Sequence, residues 1–96
     1  MTALYAEFTA KPGREQEVAT LVACLTGDVR AEEGCVVFDP FTRADNPRAY
    51  VVFEVYRDAA AFEIHLASPH SRRFNAALTG LIEGGTSTLE RLDPVA

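Results

Sequence analysis

The seven residues Tyr50-Val51-Val52-Phe53-Glu54-Val55-Tyr56 constrain this chain more than any other stretch. Successive side chains of a strand alternate, so Tyr50, Val52, Glu54 and Tyr56 point one way and Val51, Phe53 and Val55 the other. Both faces are apolar. A sheet with one wet face would alternate with polar residues, so this strand must be covered on both sides, by a second layer or by a partner chain. It runs through Asp58, a helix-capping residue type, into an apolar helix carrying His65, and Ser68-Pro69 then opens another helix.

With 96 residues the chain is read as one domain, 1–96, too small to enclose a large cavity without strain. Packing a sheet face against a second copy would supply the missing cover, so a homodimer through sheet faces is expected. The net charge is −5 and no block of Lys/Arg or basic helix occurs, so neither nucleic acid nor a membrane surface is an expected partner. Cys24 and Cys35 lie at no metal-ligand spacing and are too few to staple a secreted scaffold; they read as reduced core thiols. Met1-Thr2-Ala3-Leu4-Tyr5 shows no secretory pattern and no later apolar run reaches membrane-spanning length, which makes a cytoplasmic location the expectation.

Leu4, Ala6, Phe8 and Ala10 alternate with Tyr5, Glu7 and Thr9 in a first strand that Lys11-Pro12-Gly13 ends. Val18, Leu21, Val22, Leu25 and Val29 then fall on one helical stripe, predicting a helix over about 14–32 with a weak point at Gly27. Cys35 to Thr42 reads as a second strand, placed at an edge or a bulge by Pro40. Residues 43–48 read as the turn before the doubly apolar strand. Past the 58–67 helix, a stripe of Phe74, Ala77, Leu78, Leu81 and Ile82 predicts a third helix ended by Gly84-Gly85, with a last strand over Thr86–Leu92. The order β-α-β-β-α-α-β gives an α+β fold, a ferredoxin-like antiparallel sheet with helices on one face.

His65 falls on or beside the buried stripe of its helix, where a neutral imidazole could take a proton from a phenol or could simply be hydrogen-bonded in the core or at the dimer rim. Glu54 shares a strand face with Tyr50 and Tyr56; a carboxyl so placed must find a partner, raise its pKa or reach solvent. It could orient His65 or a substrate hydroxyl, pair with an arginine such as Arg72 or Arg73, or cap a loop. His70, in the first turn of the third helix, reads as a residue at a pocket mouth or a local hydrogen-bond partner, and Phe62 and Phe74 as core that doubles as pocket wall. His65 and His70 are separated by a Ser-Pro break with no third ligand at zinc spacing, so no metal site is expected. A phosphate-cradling loop and a nucleophile elbow are also absent, and no bound cofactor is expected.

Lys11-Pro12-Gly13, the run Arg30-Ala31-Glu32-Glu33-Gly34-Cys35-Val36-Val37-Phe38, and the run from Phe53 through His65 to Ser68-Pro69-His70 together resemble the antibiotic biosynthesis monooxygenase domain. The resemblance covers nearly the whole chain. It implies a dimeric α/β barrel, two sheets packed face to face, with a pocket between each sheet and its own helices. It also implies oxidation of a hydroquinone or polycyclic phenol by O2 without metal or flavin. Carried over by position, His65 and Glu54 are the catalytic candidates, and Phe38, Tyr50, Val52, Tyr56, Phe62, Phe74 and His70 the substrate-binding ones. Asn75, Ala6 and His65 stand where the haem-degrading branch has other residues, which points away from haem. Two alternatives stay open: a non-catalytic dimeric protein binding a hydrophobic small molecule, and an isomerase of a small phosphorylated compound, for which Arg72 and Arg73 are the available cations.

Overall fold

In the computed structural model, which describes Met1–Ala96, the expected order of elements is realised as β1 (Thr2–Thr9), α1 (Glu15–Arg30), β2 (Cys35–Arg43), β3 (Asn46–Tyr56), α2 (Ala59–Ala67), α3 (Pro69–Leu78) and β4 (Thr88–Leu92). The strands form one antiparallel sheet in the order β2-β3-β1-β4. This is the ferredoxin-like α+β arrangement. β3 is central, and its register against β1 pairs Leu4 with Glu54, Ala6 with Val52 and Phe8 with Tyr50.

That register puts Leu4, Ala6 and Phe8 beside Tyr50, Val52, Glu54 and Tyr56 on one face, all of them buried. The helices cover this face: Val18, Val22 and Val29 from α1, Phe62 from α2 and Leu78 from α3 join the same apolar cluster. The opposite face carries no helix. It exposes Phe41 at 59% and Phe53 at 37%, with Leu92 on the same face at the opposite edge strand, β4. The doubly apolar strand therefore has its first cover within the chain and lacks its second.

Several boundaries differ from those predicted, each for a local reason. The turn before β3 is only Ala44-Asp45, because Asn46 already pairs with Arg43 and its Oδ1 accepts the Arg48 N–H at 3.1 Å. Pro40 sits on an edge strand, as expected, and β2 is irregular between Cys35 and Val37. Gly27 leaves α1 unbroken. α3 ends at Leu78, well before Gly84-Gly85: Gly80 follows its cap residue, the Leu81 N–H turns back to the Leu78 carbonyl at 2.8 Å, and Ile82 leaves the helix to bridge Ala10. Ile82 is buried as the stripe implied, but outside the helix, in an isolated bridge between turns.

Two glycines are set by geometry. Gly13 has φ +84°, which lets Lys11-Pro12-Gly13 reverse the chain into α1. Gly34 lies so close to Ala61 that a Cβ there would overlap the Ala61 methyl. Its carbonyl accepts the Arg57 N–H at 2.8 Å, which ties the α1–β2 turn to the start of α2. No helix is long and apolar enough to cross a membrane.

Candidate functional site

Glu32 lies just past the C-cap of α1, in a turn closed by its own N–H donating to the Val29 carbonyl at 2.9 Å and its carbonyl accepting from the Cys35 N–H at 3.2 Å. The turn aims its side chain at the junction of α2 and α3. That junction is fixed by Ser68, whose hydroxyl donates to the His65 carbonyl at 2.7 Å and accepts the Ser71 N–H at 3.3 Å. Asp58 caps α2 by accepting the Ala61 N–H at 2.8 Å. These local bonds hold both histidines where one carboxylate reaches them.

The carboxylate oxygen Glu32 Oε2 lies 2.9 Å from His65 Nδ1 and 2.6 Å from His70 Nε2. A carboxylate only accepts, so both imidazoles donate to it. In the neutral imidazole this bond selects the tautomer with the proton on Nδ1 and the lone pair on Nε2, on the other side of the ring. The ring is wedged between aromatics, 4.9 Å from Tyr56 and 6.1 Å from Phe62 by centroids, the latter nearly parallel at 18°. Ser71 Oγ stands 3.5 Å from Nδ1, at the limit of a hydrogen bond.

On the Nε2 side is Glu54 Oε1, 3.7 Å away. That is too long for a hydrogen bond, and the nearer partner of Glu54 is the Tyr56 hydroxyl, which donates to Oε1 at 2.7 Å. Burial pushes the Glu54 carboxyl above its ordinary range, against the opposing pull of Tyr56 and His65. Glu54 is therefore a poor counter-ion for His65 and a better proton-sharing group. Tyr56 is pushed up as well, by burial first and then by Glu54, so its phenol stays protonated. Neither Arg72 nor Arg73 pairs with Glu54; the tyrosine two residues along the same strand face does so.

A cavity of about 80 Å³ opens beside this cluster, walled by Leu4, Ala6 and Phe8 from β1, Val22 and Leu25 from α1, and Leu89 from β4. Of the sequence candidates, His65, Glu54, Phe38, Val52, Phe62 and Phe74 line it. Tyr50, Tyr56 and His70 do not. Tyr50 stacks on Phe8 with centroids 5.1 Å apart, Tyr56 lies beneath His65, and His70 sits on the far side of Glu32, bound to it across the fold. No Lys or Arg lines the cavity, although the Arg91 guanidinium lies 4.7 Å over the Phe62 ring. The helix face of β1 was readable from its alternation. Glu32 was not: it sits in a short acidic turn with no local pattern, and only folding brings it to His65.

A family model described as antibiotic biosynthesis monooxygenase matches residues 1–77. The Mycobacterium tuberculosis protein Rv0793, named as a candidate monooxygenase, is 31% identical over 80 residues, 83% of this chain and 78% of that protein. Bacillus subtilis YcnE, named likewise, is 30% identical over 76 residues, 79% of this chain and 80% of that protein. A crystal structure described as an antibiotic biosynthesis monooxygenase superposes over all of both chains with TM-score 0.93 at 27% identity. The structure of Rv0793 does so with TM-score 0.91 at 28% identity, covering 99% of this chain and 95% of the other.

Proposed function

The chain belongs to the antibiotic biosynthesis monooxygenase family, and from that premise we propose that it oxidises a hydroquinone or polycyclic phenol with O2, using the substrate's own electrons and no bound cofactor. The observation that carries the proposal is the Glu32–His65 bond through Nδ1, which leaves Nε2 on the side of Glu54 beside a largely apolar, aromatic cavity.

In this reading a flat substrate lies between Phe38, Phe62 and Phe74 and presents an acidic O–H or C–H to His65 Nε2. The imidazole takes the proton, and Glu32 stabilises the imidazolium through Nδ1. The substrate anion gives one electron to O2; the radical pair recombines to a carbon-bound peroxide, which loses water to leave a carbonyl. One oxygen atom ends in the product and one in water. Glu54, held toward its protonated form, can donate a hydrogen bond to the developing oxyanion. The apolar wall excludes water that would compete for the anion.

The absence of Lys and Arg from the wall disfavours a phosphorylated substrate and with it the isomerase alternative. We also propose that the helix-free sheet face, with Phe41 and Phe53 exposed, packs on a second copy and completes a dimeric barrel. O2 uptake by the pure protein with naphthohydroquinones and anthrones tests the activity. A protein that binds these compounds saturably without O2 uptake would be a binding module instead.

A further inference from the structure

We propose that Glu32, His65 and His70 form a binding site for one divalent first-row transition ion of the zinc, cobalt or nickel kind. The two histidines are the whole histidine complement of the chain, and the fold brings both to one carboxylate from 33 and 38 residues away. One donor atom from each residue lies within 4.8 Å of the others. Two imidazole nitrogens and a carboxylate oxygen are the donor set of borderline-soft ions, whereas magnesium and calcium take oxygen.

The cluster has further properties of a site rather than of a chance contact. His65 is locked among Tyr56 and Phe62, and Glu32 is held by its turn, so two ligands are positioned before an ion arrives. The His70 side chain is 20% exposed, which leaves an open side for entry and for a water as fourth ligand. An ion on His65 Nδ1 moves the ring proton to Nε2, on the side of the ring that faces Glu54. Metal–nitrogen bonds of about 2.0–2.1 Å put tetrahedral ligands roughly 3.4 Å apart. The Glu32 contacts at 2.9 and 2.6 Å must therefore open by several tenths of an ångström while the two ring nitrogens, within 4.8 Å of each other, draw together. The ion replaces the two protons that now bind Glu32 to the imidazoles. The site shares Glu32 and His65 with the oxygenase reading, and an ion there would protonate the Nε2 that reading uses as base, so occupancy would block that chemistry; ion binding itself is measured without substrate or O2.

The test uses tag-free full-length protein stripped with chelator, titrated with Zn2+ in a calorimeter and with Co2+ by visible absorption. The expected result is one ion per chain, with Co2+ bands of a four- or five-coordinate site. Glu32→Gln and His70→Ala should each weaken binding by at least about a hundredfold, because removing even an outer partner of a ligand commonly costs ten- to a hundredfold. Circular dichroism checks that both variants fold, with His70→Gln in reserve for the alanine. No uptake by the wild type, or equal affinity in wild type and folded variants, overturns the site and leaves a proton-sharing cluster.

Discussion

Glu32 Oε2 stands 2.9 Å from His65 Nδ1, although 33 positions of chain separate the two residues. The contact fixes which ring nitrogen of the buried histidine meets the α1–β2 turn and which lies toward Glu54. Without it the neutral imidazole could adopt either tautomer.

Glu32→Gln keeps the side chain's shape but can donate as well as accept, so it no longer enforces the Nδ1–H tautomer. We expect kcat to fall by about tenfold to a hundredfold, within the range that a general base contributes, with KM little changed. Steady-state kinetics in chelated buffer checks this. A change in KM alone would mean that Glu32 shapes the cavity without orienting the base.

Glu54 carries a stability signature. Burial raises its carboxyl above the ordinary value of 4.5, so above that pH the folded chain binds a proton that the unfolded chain has released. Stability contributed by this group is full below the ordinary value and is lost as pH rises through the raised one. Glu54→Gln imitates the neutral acid. Urea unfolding in mildly acidic and mildly alkaline buffer should show the wild type losing stability relative to the variant as pH rises; an unchanged difference would mean that folding leaves the proton occupancy of Glu54 unaltered over that range.

Gly34→Ala should destabilise the fold by about 1–3 kcal/mol, the usual cost of overpacking a site that cannot yield. Its new methyl would meet that of Ala61, at the contact where the α1–β2 turn rests on α2. Because the same turn carries Glu32, the variant should also lose activity beyond its loss of folded protein. Denaturant midpoints and kinetics on one preparation separate the two effects.

Phe53→Asp places a charge at the centre of the helix-free sheet face. If that face is the dimer interface, the variant should run as a monomer by light scattering at concentrations where the wild type is a dimer. A variant of unchanged mass would locate any association elsewhere.

The architecture was legible where one element carries its own pattern. β3's two apolar faces announced a strand wanting cover on both sides, and Pro40 marked β2 as an edge. The end of α3 was misplaced because Leu81 and Ile82 continue the apolar spacing while Gly80 has already broken the helix; burial and helicity part there. At the site, His65 and Glu54 were visible as polar residues on apolar faces. Their partners were only partly so. Tyr56 lay two residues from Glu54 on the same face, yet an arginine looked the more natural partner for a buried acid. Glu32 and its link to His70 depend on a turn docking against a helix junction, a tertiary event that sequence spacing does not encode.

The most direct test of the central claim is O2 consumption by chelated, pure protein with a naphthohydroquinone and an anthrone, measured beside His65→Ala. Uptake well above autoxidation, reduced by about a hundredfold or more in the variant while both remain folded, is the predicted result. Uptake that survives intact in His65→Ala, or none with substrates shown by titration to occupy the cavity, would contradict it.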